Sequence, residues 1–172
     1  MPAPRDDVIE MDELCVRLSP SLWLWVAASR SVGQVLGFAF GRRDRGTLAL
    51  CWSDVPVDYQ DKPVVTDTAT EGRLSGYQVY PGFFRPEQHR AMDKGDGQIG
   101  GTSVVESLNT KWRQRQSGLA RRCCSETRKR VGGVSRRIET DLVERFFVLV
   151  EQHNIACQRR WEREQKTMQL GQ

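Results

Sequence analysis

Three strand-patterned segments follow one another within the first 41 residues, with no helical pattern between them. "EMDELCVRL" (10–18) alternates, so that Asp12, Leu14, Val16 and Leu18 share one face. "LWLWVAAS" (22–29), with Trp23 and Trp25, reads as a buried strand, and "GQVLGFAFG" (33–41) as a third, bounded by glycine at both ends. The connections between them are short and polar. Such connections join antiparallel neighbours, because a parallel pair needs a crossover of about a dozen residues or more. The chain therefore opens with an antiparallel meander.

After residue 41 the pattern changes to alternation of helix and strand. "RDRGTLALCWSDVP" (43–56) has helical spacing through Leu48, Leu50 and Trp52 and breaks at Pro56. "KPVVTD" (62–67) is a short apolar strand, "EGRLSGYQVY" (71–80) a weak helix, and "QHRAMD" (88–93) another short strand. A glycine-rich loop, "KGDGQIGG" (94–101), precedes "TSVVESLNTKWRQRQ" (102–116), a helix whose Val105, Leu108 and Trp112, with Leu119 beyond, fall on one side. A C-terminal helix over about 138–165 is amphipathic through Ile138, Leu142, Phe146, Leu149 and Val150. Strands first in an antiparallel group and then in crossovers suit one α/β domain, a mixed sheet with helices on both faces.

The 172 residues suffice for one ordinary domain. No window approaches the roughly 18 apolar residues of a membrane span, and the N-terminus "MPAPRDDVIE" has no apolar run, so a cytoplasmic protein is expected. Five cysteines, none paired at the two-residue gap of a zinc knuckle, read as reduced thiols. Formal charge is +4, but it is unevenly spread. The basic segment 111–137 holds Lys111, Arg113, Arg115, Arg121, Arg122 and five further Lys or Arg against one acid, Glu126. A stripe like this is the footprint of a polyanion such as DNA.

Three acids stand out by position. Asp12 lies mid-strand on an apolar face, where an unpartnered carboxylate is costly. Asp67 sits where a buried strand runs out, the place where such sheets collect ligand sites. Glu106 lies beside the apolar seam of the 102–116 helix, in a row with Thr102, Asn109 and Arg113. Adjacent first and fourth strands would bring Asp12 and Asp67 together, with the helix delivering Glu106. Three carboxylates at one point call for divalent cations, and oxygen-only ligands favour Mg²⁺ or Mn²⁺. Two such ions roughly 3.5–4 Å apart could clamp a phosphodiester. The spacing alone leaves other roles open: Asp67 as a helix N-cap, Glu106 as a surface partner of Arg113.

The segment 86–122, with "HRAMDK", "GQ", "VESLN", "WRQR" and "SGLARR", resembles the third-acid region of insertion-sequence-one type DDE transposases. "EMDEL", "LWLWVAASR" and "VVTDTATEGRLSGY" resemble that family's first-acid motif, its second strand and its second-acid motif, and "VERFFVLVEQHN" its closing helix. Ser29 and Ser107 depart from the family's aspartate and arginine. The resemblance implies an RNase H-like fold and DNA strand cleavage and transfer at mobile-element ends. It places Asp12, Asp67 and Glu106 as catalytic metal ligands. Asn109, Lys111, Arg113, Arg115, Arg121, Arg122 and His89 fall to DNA contact, although a strand-end hydrogen bond is the simpler reading of His89. It also implies a homo-oligomer, a bacterial nucleoid setting, and a zinc and helix-turn-helix DNA-binding region, absent from these 172 residues, supplied in cis or trans. Two alternatives share the DNA partner: a catalytically dead relic that binds DNA, and a nuclease that hydrolyses without joining strands.

Overall fold

The computed structural model describes residues 3–16, 22–67, 79–80, 82–92, 102–115 and 135–170. The three opening strands form as the pattern predicts: β1 (Ile9–Val16), β2 (Leu22–Ser29) and β3 (Val35–Gly41), with β1–β2 and β2–β3 both antiparallel. Gly33 takes the turn into β3 at φ 75°, a conformation open to glycine and strained for other residues. Two helices follow, α1 (Arg45–Ser53) and the single turn α2 (Val57–Gln60). Then come β4 (Val64–Asp67) and β5 (His89–Met92), each parallel to its inner neighbour. The sheet order is β3-β2-β1-β4-β5. Helices α3 (Ser103–Arg115) and α4 (Ser135–Leu170) complete the chain.

The alternation of β1 divides the core. Its odd residues Ile9 and Met11 pack with Trp25, Leu48, Cys51 and Tyr59 under α1 and α2. Its even residues Leu14 and Val16 pack with Val105, Leu108 and Trp112 of α3 and with Leu142, Phe146 and Val150 of α4. Helices therefore cover both faces of the five-stranded mixed sheet. Among the described residues no helix is long and apolar enough to cross a membrane. Cys15, Cys51 and Cys157 are free thiols.

Four expectations need correction. In α1 the buried residues are Thr47, Leu48 and Cys51, while Leu50 is 61% exposed. Residues two apart lie on opposite sides of a helix, so Leu48 and Leu50 cannot share a face. Pro56 does not merely end a helix, since it stands at the N-cap of α2. The C-terminal helix is longer than its apolar pattern, running from Ser135 to Leu170. His153 thus lies mid-helix. Residues 71–78 of the expected weak helix, the glycine-rich loop and most of the basic segment fall outside the described residues, and Val79 and Tyr80 lie in a turn.

Candidate functional site

The parallel pairing of β1 with β4 sets the site. Met11 is in register with Thr66, so Asp12 and Asp67 come next, side by side, on adjacent strands. Registered residues of a parallel pair point to the same face. That face is the one α3 covers. Asn109 Nδ2 donates to Asp12 Oδ2 at 2.9 Å, and Glu13 N donates to Asp12 Oδ1 at 2.8 Å. Thr102 Oγ1 lies 3.1 Å from Asp67 Oδ1 and 3.1 Å from Glu106 Oε1. A single hydroxyl thus joins Asp67 to Glu106. The row Thr102, Glu106, Asn109 is spaced at three and four residues, which stacks the three side chains along one edge of α3, over β1 and β4.

What anchors α3 there is a residue to which no role was given at the outset. Glu10, two residues before Asp12 and on the same strand face, is fully buried. Its Oε2 accepts the amides of Val104 at 2.8 Å and Val105 at 3.1 Å, and its Oε1 accepts Arg30 Nε at 2.7 Å. A carboxylate here satisfies orphan amides and complements the positive end of the helix. The signal was present in "EMDEL": a second acid on the face that carries Asp12 and Leu14. Asp7 is also buried, holding Ser29 Oγ at 2.5 Å and the amide and hydroxyl of Ser31 at 2.9 and 2.8 Å. Ser29 is therefore an interior anchor for the N-terminal segment.

The back of β1 carries its own polar set. Glu13 accepts both Arg43 Nε, at 2.9 Å, and Tyr80 Oη, at 2.7 Å. Burial first, then the negative charges of Glu13 and Asp12, hold the Tyr80 phenol well above its ordinary pKa, so it donates as a neutral group.

Comparison with protein-family models, curated proteins and solved structures finds no match. The site therefore rests on its own geometry.

Of the ten residues singled out from sequence, Asp12, Asp67, Glu106 and Asn109 come together. His89 does not join them. It is in register with Val64, on the side of the sheet where Thr66 lies, and its Nε2 meets Thr66 Oγ1 at 2.9 Å. Its ring lies 6.0 Å from Tyr80 and 5.9 Å from Phe84, and burial lowers its pKa toward the neutral form. This is the hydrogen bond of a half-buried histidine on the edge strand β5, facing away from the acids. Lys111 and Arg115 are exposed on α3, and Arg113 is half-buried. Arg121 and Arg122 lie outside the described residues. Asn109 is 5% exposed, and its amide orients Asp12. That interior role differs from the DNA contact expected of it.

Among the described residues no three of His, Cys, Asp or Glu stand close enough to grip a cation together as they are placed. The donors do suit a hard cation in other respects. All are oxygens, and the buried Oδ1 of Asn109, in the amide that reaches Asp12, has no hydrogen-bond partner. An orphaned buried acceptor beside a row of carboxylates is short of positive charge.

Proposed function

We propose that this chain is the catalytic domain of a metal-dependent DDE-type transposase, with an RNase H-like fold, that cleaves and joins DNA strands by phosphoryl transfer. One observation carries the reading: Asp12, midway along β1, and Asp67, at the end of β4, lie side by side on adjacent parallel strands, on the face where α3 presents Glu106, with Thr102 bridging Asp67 and Glu106. The sheet order β3-β2-β1-β4-β5, antiparallel on one side of β1 and parallel on the other, supports the fold assignment. So does the resemblance of the segments around all three acids.

Asp12, Asp67 and Glu106 would hold divalent cations, Mg²⁺ or Mn²⁺. When bound, such ions neutralise a phosphodiester and activate the attacking oxygen. The chain's own part is positioning. Asn109 fixes the orientation of Asp12, Thr102 sets Asp67 and Glu106 against each other, and Glu10 locks the first turn of α3 to β1. Phosphoryl transfer asks chiefly for such placement and for charge neutralisation, which accounts for a site without a nucleophilic triad. Lys111 and Arg115, exposed further along α3, extend the surface toward a DNA backbone. A partner of this kind fits a nucleoid-associated oligomer that brings DNA ends together.

The test is nicking of supercoiled and end-containing duplex DNA in Mn²⁺ and Mg²⁺. The wild-type chain is expected to nick. Asp12→Asn, Asp67→Asn and Glu106→Gln are each expected to lose at least about a hundredfold in rate while keeping salt-dependent DNA binding. Joining of a labelled end to a second duplex separates a transposase from a hydrolytic nuclease. DNA binding without metal-dependent nicking by the wild-type chain would overturn the enzymatic reading in favour of a DNA-binding relic.

A further inference from the structure

The segment "GRRDRG" (41–46), which leads from β3 into α1, holds three arginines and one aspartate. It is pinned at three points. The indole of the fully buried Trp25 donates from Nε1 to Arg42 O at 3.1 Å. Asp44 caps α1, accepting Thr47 N at 2.9 Å and Thr47 Oγ1 at 3.0 Å. Gly41 lies so near Thr47 that a Cβ there would stand 2.6 Å from its Oγ1.

The pinned backbone sets its arginines among aromatic rings. Arg43 lies over Trp23, its Cζ 4.6 Å from the ring centroid, and turns its Nε to Glu13. Arg45 lies over Phe83 in the same way, at 5.7 Å. Trp23, Trp52 and Phe83 are half-buried on the rim of the core under α1, and Trp52 and Phe83 both meet Phe84 edge-on, at 4.8 and 5.0 Å. Arg42 and Arg45 are exposed, and among the described residues neither forms an ion pair. The acid between them, Asp44, is engaged by the cap of α1. This rim therefore offers outward positive charge beside flat, polarisable surfaces.

Charge alone would suit any anion. The rings and the planar guanidiniums add a second demand, for a ligand with π faces of its own. A duplex keeps its bases stacked inside, whereas a single strand exposes base faces and phosphates together. We propose that residues 41–46, with Trp23, Trp52 and Phe83, form a docking surface for single-stranded nucleic acid. Arg45, held flat by Phe83, stacks on a base, and Arg42 meets the phosphates. The surface lies on the α1 face of the sheet, whereas Asp12, Asp67 and Glu106 lie on the α3 face. Strands β3 and β4 both run in the direction of β1, so Gly41 and Asp67 leave the sheet at the same end. The proposal is independent of cation binding by the acids.

The experiment is fluorescence anisotropy of the full chain in EDTA with labelled oligothymidylate and oligouridylate of about 20 nucleotides, and with a duplex of the same length, over a range of sodium chloride. Binding of either single strand, with quenching of tryptophan fluorescence, is expected, and the ratio of the two affinities tells DNA from RNA. Arg42→Ala combined with Arg45→Ala is expected to weaken single-strand binding at least about tenfold and to make the salt slope shallower by about 1.4, at about 0.7 for each charge. Arg45→Lys keeps the charge and loses the plane, so the slope should hold while affinity falls about threefold or more. Phe83→Leu should cost about fivefold or more with the slope unchanged. Should Phe83→Leu not fold, the two exposed arginines make the same measurement. Wild-type affinity in the arginine variants, or an equal loss on the duplex, overturns the stacking surface. Failure of the wild-type chain to bind either single strand also overturns it, and leaves metal-dependent nicking to be judged by Asp12→Asn, which is expected to bind single strands as wild type does.

Discussion

Glu10 shows how much one side chain can decide. It is fully buried, yet it makes three charge-assisted hydrogen bonds, two to the first turn of α3 and one to Arg30. Breaking a buried ion pair from one side is far more damaging than never having built it, because the surviving charge stays desolvated. Arg30 is 30% exposed, which softens the effect. Arg30→Met is therefore expected to destabilise the fold by about 2–4 kcal/mol, read as a lower denaturant midpoint. Adding Glu10→Gln should recover part of the loss, since glutamine still accepts from the amides and buries no charge. A double variant less stable than Arg30→Met alone would show that the guanidinium acts by packing, not by neutralising Glu10. At this scale the sequence was partly legible. Asp12, Asp67 and Glu106 were visible because each breaks a local rule: an acid on an apolar strand face, at a strand end, beside a helix seam. Glu10 obeyed the same logic but drew no attention, because its partners are backbone amides about 95 residues away that no side-chain pattern announces.

Among the elements, α4 departs furthest from its pattern. Its apolar periodicity fades after Val150, and beyond it the buried and half-buried residues are His153, Asn154, Cys157, Trp161 and Gln165, most of them polar. Continuation depends on Gln, Arg, Glu and Lys, all good helix formers, so propensity carries the helix where patterning no longer does. The docking of α4 is polar. The Asn154 amide accepts from Val35 N at 2.9 Å and donates to Val35 O at 2.8 Å, acting as a short strand partner for the start of edge strand β3. Asn154→Ala strands both backbone groups and is expected to cost about 1–3 kcal/mol, a fall of several degrees in Tm for a chain of this size. The adjacent His153 Nε2 donates to Gly33 O at 2.8 Å, and Arg160 Nη2, further along the helix, donates to Val32 O at 2.6 Å. Burial above all, together with the positive charges of Lys111, Arg160 and Arg115, lowers the pKa of His153 despite the Gly33 carbonyl. The folded state therefore prefers the neutral ring. As pH falls through and below the ordinary histidine value of about 6.5, the unfolded chain takes up the proton first, and stability present at neutral pH is lost. Denaturant midpoints measured between about pH 7.5 and pH 5 should fall, and His153→Gln should flatten part of that slope. A slope unchanged by the substitution would place the acid sensitivity elsewhere, His89 being the next group whose pKa is lowered by burial.

The whole molecule is a sheet with opposite tasks on its two faces. One face is closed by α1 and α2 over aromatic packing, and the other is shared between the α4 contact and the acid row. A net charge of +4 coexists with carboxylates on one face of β1 and β4, where Asp12 and Asp67 lie side by side. Under the proposed function, cation binding by these acids links stability to site chemistry. Any ligand that binds only the folded state raises its stability by mass action, about 2.7 kcal/mol at a hundred times its dissociation constant. For a chain of 172 residues that is a Tm rise on the order of 5–10 °C. Glu106→Gln keeps the side-chain length and an oxygen near Thr102 while removing one charge from the pair. In EDTA its melting should match wild type closely, because relief from Asp67 offsets the loss of a favourable charge near the start of α3. In saturating Mn²⁺ the wild-type chain should gain the full rise and Glu106→Gln almost none. Sodium chloride at matched ionic strength separates site binding from general screening, which would lift both proteins alike. Equal shifts in wild type and variant would mean that the acids brought together by β1, β4 and α3 do not act as one cation site, whatever their proximity.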